Sequence, residues 1–251
     1  MPYLPRRTIT KESNIFHITW QFHNKDWFFS EYWAKHVYYS LMLTCSALFN
    51  INVYCYAFMD SHAHFIFQSE VPEFISKLFH KIHTIFAIAF NKRNGRRGQV
   101  FMDRFKTIPI KSEKELLRVM AYIDLNQKRA GKVKHPRQNK FSSYKHYALG
   151  IKDELITEVK AYLDMGINKS LRQRTYRKLI ESKLKTDWEK KMQYSSEWVI
   201  GDISWVDTVS RKLRAIMRDK RDKWKKGYKE RFGMDPSEMH KLMRQLSIIA
   251  K

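Results

Sequence analysis

The sequence predicts an α+β protein: a ferredoxin-like antiparallel sheet with packed helices, followed by a basic, mainly helical C-terminal region. Three observations predict it. Ile51–Ser69 reads as two β-prone runs, rich in Val, Ile, Tyr and Phe, joined at Asp60–Ser61. The apolar period before residue 131 switches in the order strand–helix–strand–strand–helix–strand–helix. From about residue 151 to 251 the character turns helical and strongly basic, with 25 Lys and Arg against 15 Asp and Glu. The expected division is therefore 1–150 and 151–251.

Residues 1–13 are polar and carry Pro2 and Pro5, so they read as an arm. Ile15–Phe22 is the first strand, and Trp27–Phe49, long and apolar at helical spacing, is the first helix. The two strands of Ile51–Ser69 follow. Pro72–Asn91 is amphipathic, with Phe74, Leu78, Ile82, Ile85 and Phe86 on one face, Pro72 at its start and Gly95 past its end. Arg93–Arg97 is a basic loop, and Val100–Ile110 a strand or hairpin. Ser112, with Glu115 three residues on, forms a capping box for a helix that runs to Ala130 and stops at Gly131. Beyond that, Lys169–Lys191 and Arg211–Arg231 are the densest basic runs, and Asp235–Pro236 starts a last helix.

Composition narrows the partners. The 48 Lys and Arg against 25 Asp and Glu leave a formal charge of +23, the footprint of a protein that meets a polyanion. No run approaches the ~18 apolar residues of a membrane span, and the first residues lack a signal-peptide core. Cys45 and Cys55 sit in apolar runs and read as buried thiols of a cytoplasmic protein, which excludes a disulfide scaffold or a cysteine zinc site. Trp20 and Trp27 are expected to pack inside, with stacking on a base as the alternative, and His17, His23, His80 and His83 are expected as structural or surface groups.

Strand side chains alternate, so His62 and His64 share one face with Ala63 on the other. Two imidazoles placed so hold one metal ion if a third ligand arrives from elsewhere. In the helix 113–130, Arg118, Tyr122, Asn126 and Arg129 form a ridge at spacings of four, four and three. Packed over the histidine face, that ridge offers the Asn126 carbonyl oxygen to the ion and holds the Tyr122 phenol above it. Such an ion acts as a Lewis acid on a phosphodiester, and a tyrosine in line with it attacks phosphorus and becomes linked to DNA.

These residues resemble a family. MDSHAHFIF is similar to the His-hydrophobic-His motif of single-tyrosine HUH transposases, and YIDLNQKRAG to their Tyr-x-x-x-Asn helix in the REP-associated tyrosine transposase branch. IFHITWQFHN, DRFK (Asp103–Lys106) and FSSY (Phe141–Tyr144) resemble the same branch, and the order and spacing agree over about residues 6–147. The resemblance implies an HUH nuclease core, Mg²⁺ or Mn²⁺, a transient 5′-phosphotyrosine, and single-stranded DNA beside a hairpin as substrate. By position it makes His62, His64 and Asn126 the metal ligands and Tyr122 the nucleophile. It also implies a monomer or homodimer, without membrane, in the cytoplasm with the nucleoid. Two departures stand out: Asp60–Ser61 replace the usual Pro-Asn, and Gln127 replaces the usual Pro. The candidate DNA contacts are Arg93, Arg96, Arg97, Arg104, Lys106 and Arg118. The alternative to a DNA nickase and ligase is a hairpin-DNA-binding regulator that has kept recognition without turnover.

Overall fold

The computed structural model describes residue 8 and residues 10–185, 199–238 and 241. Most of the expected N-terminal arm, the end of the basic run Lys169–Lys191, and most residues beyond Glu238 lie outside that set. From Ile15 the elements follow in the expected order: β1 (Ile15–Gln21), α1 (Tyr32–Leu48), β2 (Asn52–Phe58), β3 (His62–Gln68), α2 (Glu73–Arg93), β4 (Lys106–Pro109) and α3 (Glu113–Arg129). The strands form one sheet in the order β2-β3-β1-β4, every neighbour antiparallel. That is the α+β, ferredoxin-like architecture the sequence predicts.

Period-two alternation gives the sheet two apolar faces. Phe16, Ile18 and Trp20 of β1, Phe58 of β2 and Phe65 and Phe67 of β3 face α1 and α2, which return Tyr38, Met42, Leu78, Ile82 and Phe86. The opposite face carries Cys55, Ala57, Ile66 and Ile108 and is covered by Leu116, Val119, Met120 and Ile123 of α3. Each of the Phe, Leu, Ile, Val and Met side chains among these contributes about 1.5–3 kcal/mol when fully buried. A register shift between Val53 and Cys55 restores the alternation of β2 after one extra residue.

Local signals set the ends of α3. The Ser112 hydroxyl accepts from the Glu115 backbone N–H at 3.2 Å, and Gly131 adopts φ +68 beyond the last turn. The Glu115 carboxylate pairs with Arg118 at 2.5 Å, and the N-cap is carried by the serine.

Two expectations need correction. α1 starts at Tyr32, after a 3-10 turn at Phe28–Ser30, and leaves Trp27 outside it and 61% exposed. The cause lies upstream: Asn24 and Lys25 both have positive φ (51 and 60), and the chain turns there instead of entering a helix. In Val100–Ile110 only Lys106–Pro109 forms a strand, because Phe101 makes a single bridge with Phe22 and Phe105 dips into the core. Trp20 is buried as expected, and both cysteines are buried and free.

The later chain packs onto the α3 side. α4 (Tyr144–Leu149), α5 (Lys160–Leu163) and α6 (Lys169–Lys185) add Tyr147, Val159, Tyr162, Tyr176 and Ile180 to that core. Fully buried Asp124 of α3 ties them together, accepting from Ser143 at 2.8 Å and from Tyr176 at 2.7 Å. Burial pushes its carboxyl up to about 7 despite those donors. Single bridges also touch both sheet edges: Ser142 and Ile156 bridge to β2, and Ile200 bridges to Ile110 just past β4. α7 (Ile203–Phe232) buries only Val209 and Leu213. Asp235 caps a further turn by accepting from the Ser237 N–H at 2.8 Å. No described helix is long and apolar enough to cross a membrane.

His83 gives the fold a pH dependence. Its ring stacks on Phe101 at 3.7 Å and its Nε2 meets the Tyr38 hydroxyl at 3.1 Å; burial pushes its pKa down to about 3. A depressed histidine adds stability that is complete above the unfolded value of about 6.5 and is lost as pH falls towards 3. The urea midpoint should therefore fall across that window, by at most ~1.4 kcal/mol per pH unit from this group. His83→Phe should flatten the slope, as chemical denaturation at several pH values would read.

Candidate active site

The turn between β2 and β3 is two residues long. The Met59 N–H donates to the His62 carbonyl at 2.9 Å, which leaves Asp60 and Ser61 at the tip and starts β3 on His62. Alternation then puts His62 and His64 on the α3 face, with ring centroids 5.0 Å apart and planes at 78°. His64 is buried, at 4% exposure, and His62 is half-buried.

Both rings are in the form a cation needs. Burial holds His62 down to about 4 against the pull of Asp60. His64 is held well below the usual histidine range by burial, then by His62, His17 and Arg129. Both imidazoles are therefore neutral at pH 7. Each also uses the same nitrogen for its hydrogen bond: His62 Nδ1 meets Ser61 Oγ at 3.1 Å, and His64 Nδ1 meets His17 Nε2 at 3.1 Å. That leaves Nε2 of each ring without a hydrogen-bond partner among the described residues.

α3 delivers the other groups. The Tyr122 ring stands edge-on to His64 at 5.9 Å and 90°, and to His17 at 6.0 Å. One turn on, the buried Asn126 carboxamide is half satisfied. Its Oδ1 accepts from Arg129 Nη1 at 3.3 Å, while its Nδ2 has no hydrogen-bond partner among the described residues. A buried donor left so costs about 1–3 kcal/mol, and it marks a place where a further acceptor fits. The Arg129 guanidinium lies 4.7 Å from the Tyr122 ring centroid. Gln127, where the resembling family has proline, donates to the Phe58 carbonyl at 2.8 Å and pins α3 to the end of β2. Among the described residues no three His, Cys, Asp or Glu side chains gather as a metal site.

The structure thus groups His62, His64 and Tyr122, with Asn126 one helical turn along α3 from Tyr122. His17 and Arg129 join them. Sequence reasoning placed His17 among structural or surface groups; it is fully buried and stacked on His64 at 5.3 Å. It was missed because its place depends on strand register, which pairs His17 with Ile66 and sets His64 on the next position of the same face. If His64 binds an ion through Nε2, its Nδ1 carries the proton and His17 Nε2 accepts it. His17→Ala should then weaken Mn²⁺ binding by about 10–100-fold in calorimetry, while His17→Gln should recover part of the loss.

The candidate DNA contacts spread more widely. Arg93 lies over the Trp33 ring at 4.4 Å and Arg96 over Phe28 at 4.5 Å, both at the outer end of α2, with Arg97 exposed beside them. Arg104 and Lys106 are exposed before and at the start of β4. Arg118 is engaged by Glu115.

Comparison with known proteins gives the class first: the chain is matched to DNA transposases. Residues 10–126, a little under half of the chain, match the family described as "Transposase IS200 like". The match ends on Asn126 and includes His62, His64 and Tyr122. A solved structure described as "Structure of the REP associates tyrosine transposase bound to a REP hairpin" is similar at 16% identity and a TM-score of 0.48, over 64% of this chain and 96% of that one. No curated protein matches the chain.

Proposed function

We propose that this protein is a metal-dependent single-stranded DNA endonuclease and strand transferase of the REP-associated tyrosine transposase branch. It cuts beside a hairpin and forms a 5′-phosphotyrosine on Tyr122. The observation that carries this reading is the Tyr122 ring edge-on to His64 at 5.9 Å, with the half-satisfied Asn126 amide one helical turn away. The blocks around His17, His62, Asp103, Tyr122 and Phe141 support the branch.

The residues present fit a divalent cation. His62 and His64 would hold it through Nε2 and Asn126 through its carboxamide oxygen, a mixed set that suits Mg²⁺ or Mn²⁺. When bound, the cation supplies Lewis-acid stabilisation of charge on the phosphodiester. The chain's own groups do the rest. The Tyr122 oxygen attacks phosphorus, the bond from phosphorus to the 3′-oxygen breaks, and that oxygen leaves as a hydroxyl with a proton. Attack by a 3′-hydroxyl on the phosphotyrosine reverses the step and frees the phenol, so the strand is rejoined without outside energy. Arg129 faces the phosphate as charge builds on it. His17 fixes the His64 ring.

All these groups belong to one copy, so cleavage by a monomer needs no exchange of helices. We further propose that residues 1–150 carry the chemistry and that the later chain braces α3. Arg93, Arg96, Arg97, Arg104, Lys106 and Arg118 serve the DNA backbone in this reading. A hairpin oligonucleotide incubated with Mn²⁺ and the protein, then run on a denaturing gel, tests it. A covalent band that chelator abolishes is expected. Retardation on a native gel with no covalent band would overturn the reading in favour of a hairpin-binding regulator.

A further inference from the structure

We infer that Trp27 and Lys132 form a stacking platform that takes an unpaired nucleobase of single-stranded DNA at the rim of the candidate active site. The inference rests on the reading of that site as a single-strand DNA enzyme, and it adds a binding position that the reading does not contain.

The starting observation is an aromatic residue in an uneconomical place. Trp27, Phe28 and Phe29 are consecutive; Phe29 is fully buried and Phe28 packs on Phe22 and Phe90, yet Trp27 is 61% exposed. Its exposure is built in. The left-handed Asn24 and Lys25 turn the chain outward, a conformation that costs non-glycine residues free energy. The loop is then pinned to the β2–β3 turn: Phe22 N–H donates to the Ser61 carbonyl at 2.9 Å and Phe29 N–H to the Asp60 carbonyl at 3.0 Å.

A cation completes the platform. Lys132 Nζ lies 3.8 Å from the Trp27 ring centroid and is held there by Asp60 at 2.9 Å. Lys35 reaches the same carboxylate at 3.4 Å, so two ammonium groups share one negative charge and the cluster is net positive. Asp60 stands where the resembling family has the Pro-Asn pair, which makes the cluster a feature of this chain.

Position links it to the chemistry. Asp60 is two residues before His62, at most ~7 Å along the backbone. The Lys132 N–H donates to the Gln127 carbonyl at 3.0 Å, next to Asn126. The strand and the helix that carry the proposed metal ligands therefore also carry the two ends of this cluster. An indole face stacks on any base; here Lys132 lies over one face of the ring, so a base would take the other, and the ammonium supplies positive charge for the nucleotide's phosphate. An exposed aromatic ring paired with a lysine, on a chain of charge +23, suits a nucleotide better than an apolar protein surface.

The test measures binding of a short unstructured oligonucleotide and of a blunt duplex by fluorescence anisotropy, in a Tyr122→Phe background so that nothing is consumed. Trp27→Ala and Trp27→Leu should each weaken single-strand binding about tenfold or more, Trp27→Phe should stay within about threefold of the parent, and duplex binding should not change. Lys132→Ala should lower the slope of log affinity against log salt by about one, whereas Trp27→Ala should leave it alone. Single-strand affinity unchanged in Trp27→Ala would overturn the platform, as would an equal loss on duplex. So would an altered sedimentation coefficient with DNA affinity intact, which marks a protein interface. A covalent-adduct gel on the chain with Tyr122 intact separates the two readings. No adduct but lost binding in Trp27→Ala sinks the reaction and keeps the platform; an adduct with unchanged binding does the reverse.

Discussion

Replacing Tyr122 with phenylalanine should eliminate the covalent DNA adduct and lower strand cleavage by about 10⁴-fold or more. The size follows from what the substitution removes. The oxygen that bonds to phosphorus is gone, and no other hydroxyl is placed against His64 by the ring contacts of α3. The aromatic ring remains, and with it the packing on His64 and His17 and the Arg129 contact. Thermal melting and Mn²⁺ affinity should therefore stay close to the parent, so the loss reads chemistry and not folding. Persistence of the adduct in Tyr122→Phe would place the nucleophile elsewhere, and Tyr144 or Tyr147, both buried around α4, would then need testing.

The second large effect concerns the later chain. A protein ending after Gly150 should show no cooperative urea transition. It loses Val159, Tyr162, Tyr176 and Ile180 from the α3-side core. At about 1.5–3 kcal/mol for each large side chain, that is comparable to the whole 5–15 kcal/mol stability of an ordinary domain. It also strips Asp124 of the Tyr176 hydroxyl and Tyr147 of the Tyr162 hydroxyl, which donates to its carbonyl at 3.1 Å. A protein ending after Lys185 keeps those contacts and should unfold cooperatively. A sharp transition in the shorter protein, read by near-ultraviolet circular dichroism, would show that α5 and α6 add little.

How much was legible in the sequence divides along physical lines. Strands and helices whose signals are local were readable: the alternation around His62 and His64, the ridge Arg118–Tyr122–Asn126–Arg129, and the Ser112 cap. Their convergence was readable only as a condition, because packing α3 on the histidine face needs the sheet. His17 was not readable as part of the site, since it meets His64 across 47 residues of sequence through strand register. Trp27 was expected inside, and two left-handed residues that are neither glycine overruled its hydrophobicity. In the later chain the charge of α6 hid an apolar stripe; Tyr176 and Ile180 are four residues apart and fully buried among exposed Lys and Arg. Composition weighs the charges and misses the stripe.

The bridged sheet edges have a consequence for how this molecule is made. β4 gains its outer neighbour only when Ile200 arrives, some ninety residues later in synthesis. At the ~5–20 residues per second of a translating ribosome, the nascent sheet waits on the order of 5–18 s with an unpaired border. During that interval two emerging copies on one message can zip strand to strand. Slower translation should then lengthen the time for which that border stands open.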